Sequence, residues 1–98
     1  MNSSNILEYV ESFEDDKSYF IVMKYMPAGD LYSYIQRIDE PLNEDHAKRI
    51  IRQVAKGVQA LHSRLIIHRD IKCENILVTD NSRNTSVKIA DFGSAFKL

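Results

Sequence analysis

A single cysteine, Cys73, stands in 98 residues. An internal disulfide framework is therefore excluded, and the chain suits a reducing compartment. No apolar run approaches the length of about 20 residues needed to cross a bilayer. The N-terminal MNSSNILEYV lacks the basic start and apolar middle of a secretion signal. Charge of one sign is also missing: 13 basic against 14 acidic side chains leave a net charge of −1. No strong field is available to draw nucleic acid or an anionic membrane, so neither is expected as a partner. Internal repeats and low-complexity segments are absent as well. Two glycosylation-type triplets, at Asn2 and Asn84, carry no weight in a chain expected to be cytoplasmic or nuclear.

What is there is globular in composition, with 44% hydrophobic and 28% charged residues. The length fits one small domain and not two. Ile6 to Phe13 and Tyr19 to Tyr25 read as strands around the polar turn EDDK. The core of the second, YFIVM, is apolar on both faces, as in a strand buried within a sheet. Pro27, Ala28 and Gly29 form a linker, and a short helix is expected from Leu31 to Ile38. The clearest element is a helix from Asn43 to about Ser63. Asn43 is placed to cap it, with Glu44 and Asp45 in the first turn where the helix dipole favours acids. Ala47, Ile50, Ile51, Val54, Val58 and Leu61 recur at helical spacing as one apolar stripe. Lys48, Arg49, Arg52, Lys56 and Gln59 form the opposite face, most simply a solvated one. Beyond Ser63 the period shortens. LII before His68, ILV at Ile76 to Val78 and VKIA at Val87 to Ala90 read as strands, and TDNSRNTS as a hairpin loop. The fold class is α+β.

The chemistry concentrates in HRDIKCEN and ADFG. Asp70, Lys72 and Asn75 fall on a loop between short strands, where a rigid frame commonly holds reactive groups. Asp91 lies twenty-one residues after Asp70 and is returned toward Asn75 by the hairpin. A carboxylate and an amide oxygen are hard ligands suited to Mg²⁺, yet too few to hold it alone. A polyphosphate would have to share the ion. Asp70 can orient a hydroxyl nucleophile and Lys72 can neutralise the transferred group, which is the division of labour that phosphoryl transfer requires. Singly, Asp70 reads as a turn residue, Asn75 as a cap, Asp91 as a strand-end acid and His68 as a packed core histidine. Together, H-R-D-x-K-x-x-N followed by a strand and D-F-G fixes too many positions for chance.

At these residues the chain resembles the eukaryotic protein kinase family, in its serine/threonine branch. HRDIKCEN is similar to the catalytic loop, KIADFG to the magnesium-binding loop, and YFIVMKYMPAGDL to the hinge between lobes. The resemblance implies part of the two-lobed kinase fold. Residues 1–4 would be a short tail and 5–98 a partial kinase domain, with small-lobe strands at 5–25, hinge at 26–30 and the start of the large lobe at 31–98. By position it implies Asp70 as catalytic base, Lys72 on the γ-phosphate of ATP, and Asn75 and Asp91 as Mg²⁺ ligands. Met23 falls at the gatekeeper behind the adenine. The backbone of Lys24 and Met26 would bond that ring, Leu77 would form its floor, and Asp30 would meet the ribose. His68 and Phe92 would stack in the internal spine, and Arg69 would grip an activation-loop phosphate. The implied partners are ATP and a protein substrate. Glu74 and Asp30, two acids that the substrate can meet, imply basic residues before its target serine or threonine.

The chain departs from the family at Lys24, where glutamate is usual, at Cys73, where proline is common, and at Leu65, where a small or polar turn residue is usual. None of these removes a catalytic group. A Gly-rich phosphate loop, a strand lysine and its partner glutamate have no room before Asn5, and the activation loop would follow Leu98. The 98 residues alone are therefore expected to be catalytically silent, and the long helix to bury its stripe against large-lobe helices outside them. The alternative is a kinase-derived relic serving as an interaction module. A small-molecule kinase is disfavoured by HRDIKCEN together with DFG.

Overall fold

The computed structural model describes residues 4–38, 42–91 and 95–97, with the backbone alone at 19–21. Two strands open the chain, β1 at Tyr9–Glu14 and β2 at Tyr19–Met23. They pair antiparallel with Tyr9 opposite Met23 and Glu14 opposite Tyr19, and with an irregularity between Tyr9 and Glu11. Asp15 builds the turn: its Oδ1 accepts the N–H of Lys17 at 2.9 Å and of Ser18 at 2.7 Å. An aspartate that bonds its own following backbone is a standard way to reverse a chain. β1 starts three residues later than the alternation from Ile6 predicts. Ile6 is used elsewhere, in a parallel bridge to Ile89. The expectation that β2 lies buried in a sheet is also corrected. Its ribbon has two strands among the described residues, Val22 and Met23 are half-buried, and Tyr9, Val10 and Phe13 stand exposed.

Helix α1 covers Leu31–Arg37, and Ile38 ends it in extended backbone, one residue before the predicted limit. Helix α2 covers Glu44–Ser63. Asn43 caps it as expected, Oδ1 accepting the His46 N–H at 2.8 Å. The apolar stripe is narrower than its spacing implied. Ile50 and Leu61 are buried and Ala47, Val54 and Val58 half-buried, but Ile51 is 65% exposed. Neighbouring helical residues point about 100° apart, and here only one side of α2 is covered. That side includes His46 and Gly57, both buried. Part of its cover comes from within the chain: α2 packs on the later strands, and Leu61 is 1% exposed.

The remaining elements are short: β3 at Ile66–Ile67, a 3-10 turn at Cys73–Asn75, β4 at Ile76–Val78, β5 at Val87–Ile89 and β6 at Phe96–Lys97. β4 pairs antiparallel with β5, and β3 with β6. β6 was not anticipated; two residues offer no period to read. Leu31, Tyr34, Ile50, Ile76, Val78 and Val87 form the core, each burial of this kind contributing roughly 1.5–3 kcal/mol. Polar bonds seat the 79–86 loop on this core. The Tyr34 hydroxyl donates to the Ser82 carbonyl at 2.8 Å, so His46 Nε2, 2.9 Å away, is the donor to the phenol oxygen. Burial, and then the nearby Asp80 carboxylate, raise the Tyr34 pKa. Arg49 donates to the Arg83 carbonyl and to Asn84 Oδ1. The face read as merely solvated thus holds a loop.

Leu65 closes α2 in the left-handed region at φ 60°, its N–H on the His62 carbonyl at 2.9 Å. Glycine usually takes this place, because an L side chain there costs roughly 1–2 kcal/mol. Leu65 is 57% exposed and recovers little of that by burial. Leu65→Gly is expected to raise stability by about 0.5–1 kcal/mol, after the entropy cost of glycine. A lower urea midpoint for the variant would contradict this.

Candidate active site

β3 delivers the loop that carries the HRD sequence. His68 is buried, and its two ring nitrogens do different work. Nδ1 accepts the Asp70 N–H at 3.1 Å. Nε2 must then carry the proton, and it donates to the Ala90 carbonyl at 2.8 Å. One neutral imidazole thereby ties the loop to the segment that precedes Asp91. Residue type alone did not reveal this role, since the bond ends on a backbone oxygen. The expected stack of His68 on Phe92 lies outside the described residues. Arg69 sits at φ 69°, its guanidinium 5.4 Å from the centroid of the Phe96 ring.

Asp70, Lys72 and Asn75 are brought together. Asn75 is buried at the end of the 3-10 turn, and Nδ2 donates at 2.9 Å to both the carbonyl and Oδ2 of Asp70. The other carboxylate oxygen of Asp70, Oδ1, lies 3.7 Å from Lys72 Nζ. Both partners of that ion pair are partly exposed, so it contributes little stability. What it does is hold a cation beside the carboxylate. The Asn75 carbonyl accepts the Ala90 N–H at 2.8 Å, which puts Asp91 next in chain to a residue bonded to Asn75. Asp91 is exposed, at φ 57°. Aspartate tolerates this region better than most residues.

These donors fit a magnesium ion in chemistry. With its nitrogen committed to Asp70, the Asn75 amide turns its oxygen the other way, and Asp91 adds a carboxylate. Two hard oxygens are few for Mg²⁺, which retains water and phosphate ligands. No cluster of three His, Cys, Asp or Glu suited to a metal occurs among the described residues. Glu74 is exposed beside Asn75, and Cys73 is half-buried against the core.

The hinge residues follow β2. The Lys24 N–H is taken by the Glu8 carbonyl at 2.9 Å, and the Met26 carbonyl by the Gly29 N–H at 3.0 Å. These two residues can then offer an adenine the Lys24 carbonyl and the Met26 N–H, one acceptor and one donor. Met23 ends β2, half-buried. Gly29 turns the chain at φ 82°, and Asp30 and Leu77 meet in an antiparallel bridge. Asp30 has a role that the sequence reading missed: Oδ1 accepts the Ser33 N–H at 2.7 Å and caps α1. An aspartate directly before the first apolar residue of the helix was the available signal.

With a loop of this construction beside the strand that leads to Asp91, comparison with known proteins is decisive. The protein kinase domain family matches residues 1–98. The chain belongs to that family. Serine/threonine-protein kinase ksp1 of Schizosaccharomyces pombe is 44% identical over 96 residues, covering 93% of this chain and 20% of that protein. Serine/threonine-protein kinase Nek8 of Danio rerio is 40% identical over 94 residues, covering 95% and 13%. MAP kinase-interacting serine/threonine-protein kinase 1 of Xenopus tropicalis is 38% identical over 98 residues, covering 98% and 23%. This kinase chain spans less than a quarter of each relative's length. The mixed helices and small sheets accord with part of the kinase fold, and no helix among the described residues is long and apolar enough to cross a membrane. Kinases of this family use ATP and Mg²⁺.

His68→Phe keeps a ring in place and removes both bonds. It is expected to lower stability by about 1–3 kcal/mol and to speed hydrogen exchange at the Asp70 amide. Exchange at Asp70 that stays unchanged, measured by NMR, would rule out the bridging role.

Proposed function

We propose that the protein carrying this chain transfers the γ-phosphate of ATP to serine and threonine hydroxyls of other proteins. Residues 5–25 serve as small-lobe strands, 26–30 as hinge and 31–98 as the start of the large lobe. Asp70 orients the substrate hydroxyl and takes its proton, Lys72 balances charge on the transferred group, and Asn75 and Asp91 hold the magnesium. A magnesium ion held by these two residues would supply positive charge against the phosphates. The observation that carries the reading is the Asn75 amide, which grips Asp70 through two bonds of 2.9 Å. It fixes the base and presents a metal ligand with one side chain. Preorganisation of this kind is most of what a phosphoryl-transfer site supplies. In the enzyme that contains this chain, Asp70→Asn is expected to lower kcat by about 10³-fold, with the KM for ATP within about threefold of wild type. The 98 residues on their own, without a Gly-rich loop, are expected to be inactive. Wild-type kcat in Asp70→Asn overturns the assignment, and absence of activity in the whole enzyme favours a non-catalytic interaction module.

The preferred substrate has basic residues before the target. Glu74 is exposed beside the loop, and an arginine fork bonds a carboxylate through two donors. Asp30 is the weaker candidate, because Ser33 already engages its Oδ1. A peptide library phosphorylated by the enzyme should show arginine or lysine enriched upstream, with the enrichment reduced by Glu74→Ala. Asp30→Ala should mainly cost the helix cap, about 1 kcal/mol. No upstream enrichment, or one indifferent to Glu74→Ala, counts against this preference.

A further inference from the structure

The strand that leads to Asp91 is held on its second edge by side chains that no catalytic motif includes. Asn5 is 5% exposed. Its Nδ2 donates to the Val87 carbonyl at 2.9 Å and to Gln53 Oε1 at 3.2 Å. Gln53 Oε1 also accepts the Val87 N–H at 3.0 Å. The backbone continues the pattern, with the Ile89 N–H on the Asn5 carbonyl at 2.9 Å and the Leu7 N–H on the Ile89 carbonyl at 3.0 Å. Val87 and Ile89 therefore turn both their backbone groups toward Asn5, Leu7 and Gln53. Ala90 turns both of its own the opposite way, to Asn75 and His68.

Such alternation leaves one register. A slip by one residue would present the wrong backbone groups to each edge and send every side chain to the other face. It would carry Asp91 away from Asn75. The close approach also depends on Gly57, where a Cβ would lie 2.8 Å from the Asn5 carbonyl and 2.7 Å from Ile89 Cδ1. The Asn5 carbonyl is backbone and cannot swing aside.

We propose that Asn5 and Gln53 are positioning residues for Asp91: their paired amides lock the register of β5 and thereby set the metal-side carboxylate against Asn75. The metal role of Asp91 rests on the function proposed above; the register lock does not. α2 is thus the ruler against which the strand is measured, with Gln53 as the mark.

The two parts are separable by experiment on the full protein that carries this chain. Gln53→Leu removes the shared acceptor, whereas Gln53→Glu retains an oxygen in its place. In ¹⁵N NMR, Gln53→Leu and Asn5→Leu should shift the Asp91 amide signal. They should also speed exchange at Val87 and Ile89 at least tenfold, leaving Ile50 and Val54 within threefold, while Gln53→Glu stays close to wild type. Mn²⁺·ATP is the metal probe. Broadening at Asn75 and Asp91 should need at least fivefold more probe in the leucine variants, with metal-free ATP binding unchanged. A general loss of stability would instead speed exchange in α2 and β5 together. That pattern, or an Asp91 signal indifferent to both leucine variants, overturns the proposal. If the wild-type protein shows no Mn²⁺·ATP broadening, the metal reading of Asp91 fails and the Asp91 shift alone decides the register lock. Should Gln53→Leu not fold, Asn5→Asp, isosteric but without the donor, carries the same comparison.

Discussion

The site depends on how the two backbone groups of one small residue are held. Ala90 donates to the Asn75 carbonyl and accepts from His68 Nε2, each at 2.8 Å. These bonds join Ala90 to residues 15 and 22 positions earlier in the chain. Both are buried, so leaving either group without its partner would cost more than a bond between exposed groups contributes. Asp70, Asn75 and Asp91 take their relative places from that junction.

Backbone strain gathers at the same place. Of the three non-glycine residues with positive φ among the described residues, Arg69 and Asp91 lie in the two candidate loops, and Leu65 starts the approach to one of them. Conformations of this sort persist only where surrounding bonds over-determine them. Here the over-determination is visible: Asp70, directly after Arg69, is held at its N–H by His68, at its carbonyl by Asn75 and at its carboxylate by Asn75 and Lys72. Asp91 directly follows Ala90. The strained positions thus lie at or beside Asp70 and Asp91, and the bonds next to them hold them in place.

The frame behind the loops is a helix with one working side. α2 buries Ile50 and Leu61, bonds β5 through Gln53 and bonds the 79–86 loop through Arg49. Tyr34 and His46 add a buried polar link between α1, α2 and that loop. A polar network with every partner satisfied specifies one arrangement where apolar packing alone tolerates several. Among the described residues no buried side-chain nitrogen or oxygen lacks a partner.

Several things were legible from residue order alone. α2 was, to its Asn43 cap, because a 3.6-residue period over twenty residues and a capping side chain are both local signals. The hairpin around TDNSRNTS was, because turn residues separate two apolar runs. The family was, because reactive chemistry demands particular side chains at fixed spacing. Tertiary structure decided the rest. Ile6 pairs with β5 instead of opening β1, Ile51 faces out while Ile50 beside it is buried, and Arg49 holds a loop where a solvated face was expected. A period shows that a helix has an apolar side, but what packs against it sets how wide that side is. The anchoring of Ala90 was least legible of all. A backbone N–H and carbonyl are the same in every such residue, so the bonds that place Asp91 beside Asn75 leave no mark in the letters of the chain.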